Sequence, residues 1–199
     1  MLTGGLSGLE SSMTFSPIIF IAGPSGAGKS TISEWIVSDL HLLHLDIDCH
    51  HGFGFHGLRR EWHLFSTRLD PGPLASAVRD RIKAARSLGA VLSFPSNRIL
   101  SQGQIEAAKS VGICTVIIWG PENLCKQARR DRDCAIGQLF EEERYEKSNR
   151  TAFTTYGSVE YAHVRVEAFR PDGSRWSRAD MVRAFSRLPK IPDAADSGR

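Results

Sequence analysis

Gly23-Pro24-Ser25-Gly26-Ala27-Gly28-Lys29-Ser30 fills every fixed position of the pattern G-x-x-x-x-G-K-[ST]. Before it stands the wholly apolar run Ile18-Ile19-Phe20-Ile21, and after it Ile32, Trp35, Ile36 and Leu40 recur at helical spacing. Strand, glycine loop and helix in that order are the context that gives the pattern its meaning. The chain has to curl there until consecutive N–H groups face an anion, and a Cβ obstructs that path. The following helix adds the partial positive charge of its N-terminus. Gly23, Pro24, Ser25, Gly26, Ala27, Gly28, Lys29, Ser30 and Thr31 are therefore expected to cradle a nucleoside triphosphate, ATP, with Mg²⁺. Lys29 is expected at the β- and γ-phosphates and the Ser30 hydroxyl on the metal.

Outward from the loop, strand and helix signals alternate. Further strands are expected at Leu42–Ile47, Ala90–Phe94 and Ile113–Trp119, and a half-exposed one where Ala162, Val164, Val166 and Ala168 alternate with polar residues. Pro73 opens a helix whose Leu74, Val78, Ile82 and Ala85 share a face, with Gly89 as its stop. Ser101 and Gln104 form a capping box ahead of a short helix ending at Gly112. Pro121 starts the next helix, another is expected over Gln138–Asn149, and Ser177 caps one after the turn Pro171-Asp172-Gly173-Ser174. The result is an α/β fold, a three-layer parallel five-stranded sheet with helices on both faces. Residues 1–16 read as a flexible leader, 17–188 as one domain and 189–199 as a flexible tail. Within the domain, residues 49–73 read as an irregular, acceptor-binding insert.

The 199 residues, 41% of them hydrophobic, suffice for one core. A net charge of +3 does not point to a nucleic-acid polymer, and the Ile18–Ala22 run is far short of a membrane span. Four cysteines without a C-x-x-C pair fit free thiols in a reducing cytoplasm.

Acidic residues separate the possible uses of the triphosphate. Neither Ala90–Phe94 nor Ile113–Trp119 ends in the aspartate common in hydrolysing relatives of this loop, and no Asn-Lys-x-Asp selects guanine. The acids instead end the second strand, in Leu45-Asp46-Ile47-Asp48. Residues two apart on a strand share a face, so both carboxylates reach the carboxyl edge of the sheet. One can hold a metal-bound water while the other accepts the proton of an attacking hydroxyl; the bland alternative is a pair of loop aspartates capping the next segment.

Together, GPSGAGKS after a first strand, LDID after a second, a substrate insert and the arginine-rich RRDRD after a fourth strand resemble the small P-loop kinases that include gluconate, shikimate, adenylylsulfate and adenylate kinases. The resemblance spans residues 17–188 in order of elements. It implies Asp48 near the acceptor hydroxyl, Asp46 in the magnesium shell, and a lid-like segment at 126–138 whose Arg129 and Arg132 act on the transferred group while Arg130 binds ATP. The glycine triplet that shikimate kinases carry after the third strand is replaced here by Ser93-Phe94-Pro95-Ser96-Asn97-Arg98. Arg98, and secondly Arg68, are candidates to bind an anionic group on the small-molecule acceptor. Six of the seven histidines fall within residues 41–63 without metal-ligand spacing, and are expected to bond a polar acceptor or to be ordinary loop histidines. A small-molecule kinase is the first reading. A nucleoside or nucleoside monophosphate kinase of the same fold and an ATP-binding regulator or weak NTPase are the alternatives.

Overall fold

The computed structural model describes residues 17–47, 57–96 and 98–188. Strand β1 (Ile18–Ala22) is buried throughout because it is the middle strand of five. Its neighbours are β3 (Ala90–Ser93) and β4 (Ile113–Trp119), with β2 (Leu43–Asp46) beyond β3 and β5 (Arg165–Glu167) beyond β4. Every pairing is parallel, so the crossovers carry helices: α1 (Lys29–Leu40), α2 (Arg59–Arg68), α3 (Gly72–Ala85), α4 (Gln102–Ser110), α5 (Glu122–Ala135), α6 (Glu142–Gly157) and α7 (Arg178–Ser186).

The two faces of the sheet build two cores, and β1 feeds both by alternation. Ile18, Phe20 and Ala22 join Trp62 and Phe65 of α2, Leu74, Val78 and Ile82 of α3, Ile105 of α4 and Tyr156 of α6. Ile19 and Ile21 join Ile32 and Ile36 of α1, Cys125 of α5, and Met181 and Phe185 of α7. The expected three layers are therefore present. Phe20 packs edge-on against Phe65 and Phe94, with centroids 5.8 and 5.1 Å apart.

Several boundaries differ from expectation, each for a local reason. Residues 49–73 are not irregular throughout, because α2 occupies 59–68. Leu58, Trp62 and Phe65 are buried one helical turn apart and hold it to the sheet. Helix α3 stops at Ala85, on Arg86 in the left-handed region (φ 52°), four residues before Gly89. Gly89 serves a different purpose, since a Cβ there would lie 2.4 Å from the Pro17 carbonyl oxygen. Helix α6 begins later and runs longer than Gln138–Asn149. The expected strand around 162–168 keeps only Arg165–Glu167; Val159–Val164 coils as a 3₁₀ turn, tied down by the Tyr161 hydroxyl donating to Leu100 O at 3.0 Å. The Ser101–Gln104 capping box and the Ser177 cap form as expected.

Candidate active site

The glycine loop leaves the carboxyl end of β1 and turns directly into α1. Gly23 and Gly26 adopt φ of 139° and 83°, and a Cβ on them would sit 2.1 Å from Ile118 O and 1.9 Å from Cys125 O. No other residue fits that path. No side chain caps α1 and no acid stands in its first turn, which leaves its leading N–H groups for an anion. Lys29 Nζ donates to Gly23 O at 2.8 Å and Pro24 O at 3.0 Å. Beneath the loop lies Cys125, whose thiol burial pushes up to about 12, so it is neutral there.

A groove of about 800 Å³ opens over the loop. Its lining brings together Asp46, Ser93, Phe94, Pro95 and Ser96 with the apolar Ile32, Trp35, Trp176 and Met181. Ser30 and Thr31 are part of the same lining. Asp46 ends β2 in register with Ser93 of β3. The Ser93 hydroxyl donates to Asp46 Oδ1 at 3.0 Å and lies 3.0 Å from His44 Nε2. Thus one histidine of the rich segment has a place in the site, two residues from Asp46 on the same face. Asp48, His50, His51, Phe53, Phe55 and His56 lie outside the described residues. Among the described residues, no three His, Cys, Asp or Glu side chains cluster as a metal centre.

The arginine cluster rides on α5 and its contacts divide. Arg129 donates through Nε to Asp133 Oδ2 at 2.7 Å and through Nη1 to the Ser25 hydroxyl at 3.2 Å. Asp133, only 4% exposed, also has Arg132 3.5 Å from its other oxygen. Arg129 and Arg132 both line the groove. Arg130 is turned toward α6, bonding Glu142 at 3.2 Å and lying over the Phe140 ring at 5.1 Å. Arg68, at the end of α2, and Arg98, after the Phe94–Ser96 wall, are exposed and outside the groove lining.

Four residues of the site escape sequence reasoning. Asn149 Oδ1 accepts from Ser25 N at 2.7 Å, and the Tyr145 hydroxyl donates to Ser25 O at 3.0 Å. Arg175 reaches the loop's Gly26 and Ala27 carbonyls. Trp176 lines the groove. Their only signal in the sequence is their place after a predicted helix start or turn.

No protein-family model matches the chain, and no curated protein matches it. Solved structures do. A gluconokinase from Sinorhizobium meliloti 1021 is 20% identical, with a TM-score of 0.50 over 85% of this chain and 89% of that one. A sugar kinase from Janibacter sp. HTCC2649 is 15% identical, with a TM-score of 0.51 over 89% and 96%. A shikimate kinase from Bacteroides thetaiotaomicron is 18% identical, with a TM-score of 0.50 over 86% and 97%. At such identities the likeness is one of fold. With five parallel strands in this order around a phosphate loop, the chain has the fold of the P-loop kinases.

Proposed function

We propose that the protein transfers the terminal phosphoryl group of ATP to a hydroxyl of a small polar metabolite. The observation that carries this reading is a single groove holding the phosphate loop, an acidic strand end and the arginines of α5. The apolar lining residues Trp35, Trp176 and Met181 suit a nucleobase, and the polar lining at Asp46 and Ser93 suits the acceptor. The uncapped start of α1 fits the phosphates, and Ser30 with Asp46 fits Mg²⁺, which needs few protein oxygens because it keeps several waters. When bound, magnesium supplies charge neutralisation at the phosphate oxygens.

The chain's own groups do the rest. Asp48, two residues beyond Asp46, takes the proton of the acceptor hydroxyl as its oxygen bonds the γ-phosphorus and the bond to the ADP oxygen breaks. Lys29, Arg129 and Arg132 stabilise the charge on the transferred group, with Arg130 on the nucleotide side, and α5 shields the reaction from water in the manner of a lid. Arg98, which follows the Pro95–Ser96 wall, and Arg68 are the proposed contacts of an anionic acceptor. The proposed partner is thus a small molecule in the cytoplasm, not a nucleic-acid polymer. Among the described residues no helix is long and apolar enough to cross a membrane.

The test is ADP release with Mg²⁺ and ATP across sugar acids, polyols, nucleosides and nucleoside monophosphates. One class is expected to raise release well above the acceptor-free rate. Asp48→Asn is expected to lower that acceptor-dependent rate by about a hundredfold or more, and Lys29→Ala to abolish it. Release that no acceptor changes points to an ATP-binding regulator or weak NTPase. A nucleoside that wins the screen makes the protein a nucleoside kinase.

A further inference from the structure

The carbonyls of Gly23, Pro24, Ser25, Gly26 and Ala27 all accept hydrogen bonds from side chains. Lys29 serves the first two from within the loop's own helix. The other three are served from far along the chain. Ser25 O accepts from the Tyr145 hydroxyl at 3.0 Å, Gly26 O from Arg175 Nη2 at 2.7 Å and Ala27 O from Arg175 Nη1 at 3.2 Å. In a planar trans peptide the N–H points away from the C=O. Fixing these carbonyls therefore fixes the directions of the Gly26, Ala27 and Gly28 N–H groups; that of Ala27 turns back to Pro24 O at 3.4 Å, while Gly26 and Gly28 line the groove with donors of the kind that wrap a phosphate. Glycine at 26 and 28 leaves the backbone free to swing, so the restraint has to come from outside the loop.

Both donors are themselves anchored. The Arg175 guanidinium lies 4.6 Å from the centre of the Phe169 ring, and Phe169 is only 8% exposed. A bridge between Phe169 and Arg175 closes the turn, in which Asp172 Oδ1 accepts from Ser174 N at 2.9 Å. Tyr145 lies on the buried side of α6, one turn before Asn149, which is 1% exposed and binds the Ser25 N–H. Burial pushes the Tyr145 phenol up, so it stays a donor at neutral pH.

We infer that Arg175 and Tyr145 are positioning residues, which aim the loop's N–H groups at the place of a nucleotide's phosphates before the nucleotide arrives. The inference rests on the nucleotide-binding reading above but not on the identity of the acceptor. It assigns the loop's readiness to residues from α6 and the turn after β5, not to the glycine motif alone.

Calorimetric titration with ADP, of the wild type and of Arg175→Met and Tyr145→Phe well below their unfolding temperatures, tests it. Each variant is expected to bind about tenfold more weakly. The losses are expected to persist between about 0.1 and about 1 M salt, where the screening length falls from about 10 to about 3 Å. Variants that melt earlier yet bind ADP like the wild type overturn the inference. So does a loss confined to Arg175→Met that vanishes at high salt, since that is a direct charge contact with the phosphates. A wild type that binds neither ADP nor ATP removes the nucleotide reading itself, which is a distinct outcome.

Discussion

Ser93 is a small residue held between two larger polar ones. At 4% exposure its hydroxyl is engaged by Asp46 on one side and His44 on the other. Ser93→Ala removes the donor that orients the Asp46 carboxylate. Under the proposed function it is expected to raise the magnesium concentration for half-maximal ATP turnover by about tenfold, since one charge-assisted hydrogen bond is lost. A magnesium titration of ADP release checks it, and an unchanged midpoint removes Ser93 from the site. Lys29, Ser30 and the three glycines were legible in the sequence because one short motif carries both spacing and chemistry. Arg175, Tyr145 and Asn149 were not. Each is a common residue type in an ordinary position, and each gains its role only when a segment 120 or more residues away closes on the loop. The arginines adjacent in sequence point in different directions around α5, Arg129 toward the loop and Arg130 toward Glu142, which spacing alone does not show.

At the level of elements, helix α2 was hidden by composition and is evident in spacing. Glycines, histidines and aromatics around it suggested irregular chain, while Leu58, Trp62 and Phe65 already repeat with helical period. Phe65 is fully buried and meets both Phe20 and Trp62 edge-on. Phe65→Ala is expected to cost about 3–5 kcal/mol of stability, measured by urea unfolding; a loss under about 1 kcal/mol would mean that α2 packs elsewhere. The segment before β5 misled for the reverse reason. Its alternation is genuine, but Tyr161 is drawn into the core by its bond to Leu100 O, and the chain coils to deliver it. Period alone sees the pattern of a strand and not the tertiary pull that overrides it.

For the molecule as a whole, the chain's three tyrosines form a probe. Burial is the largest cause raising Tyr145, Tyr156 and Tyr161 above their ordinary value of 10.0. A raised folded value means that the stability gained is complete below pH 10 and is lost as pH climbs toward the folded values. Phenolate absorbance is therefore expected to stay flat through pH 10 and then to appear in one step with loss of the folded signal in circular dichroism. A tyrosine that titrates near 10 in the folded protein would contradict the buried setting given to it. The placement of β1 has a consequence for biosynthesis. Among the described strands the middle one is translated before its neighbours, and its partners are encoded at residues 90–93 and 113–119. Until both have emerged, a wholly apolar strand has an unpaired edge and is open to pairing with another nascent chain. Chaperones that cover the stretch from β1 through β4 as it emerges are therefore expected to raise the yield of folded protein more than those acting after β4 has paired.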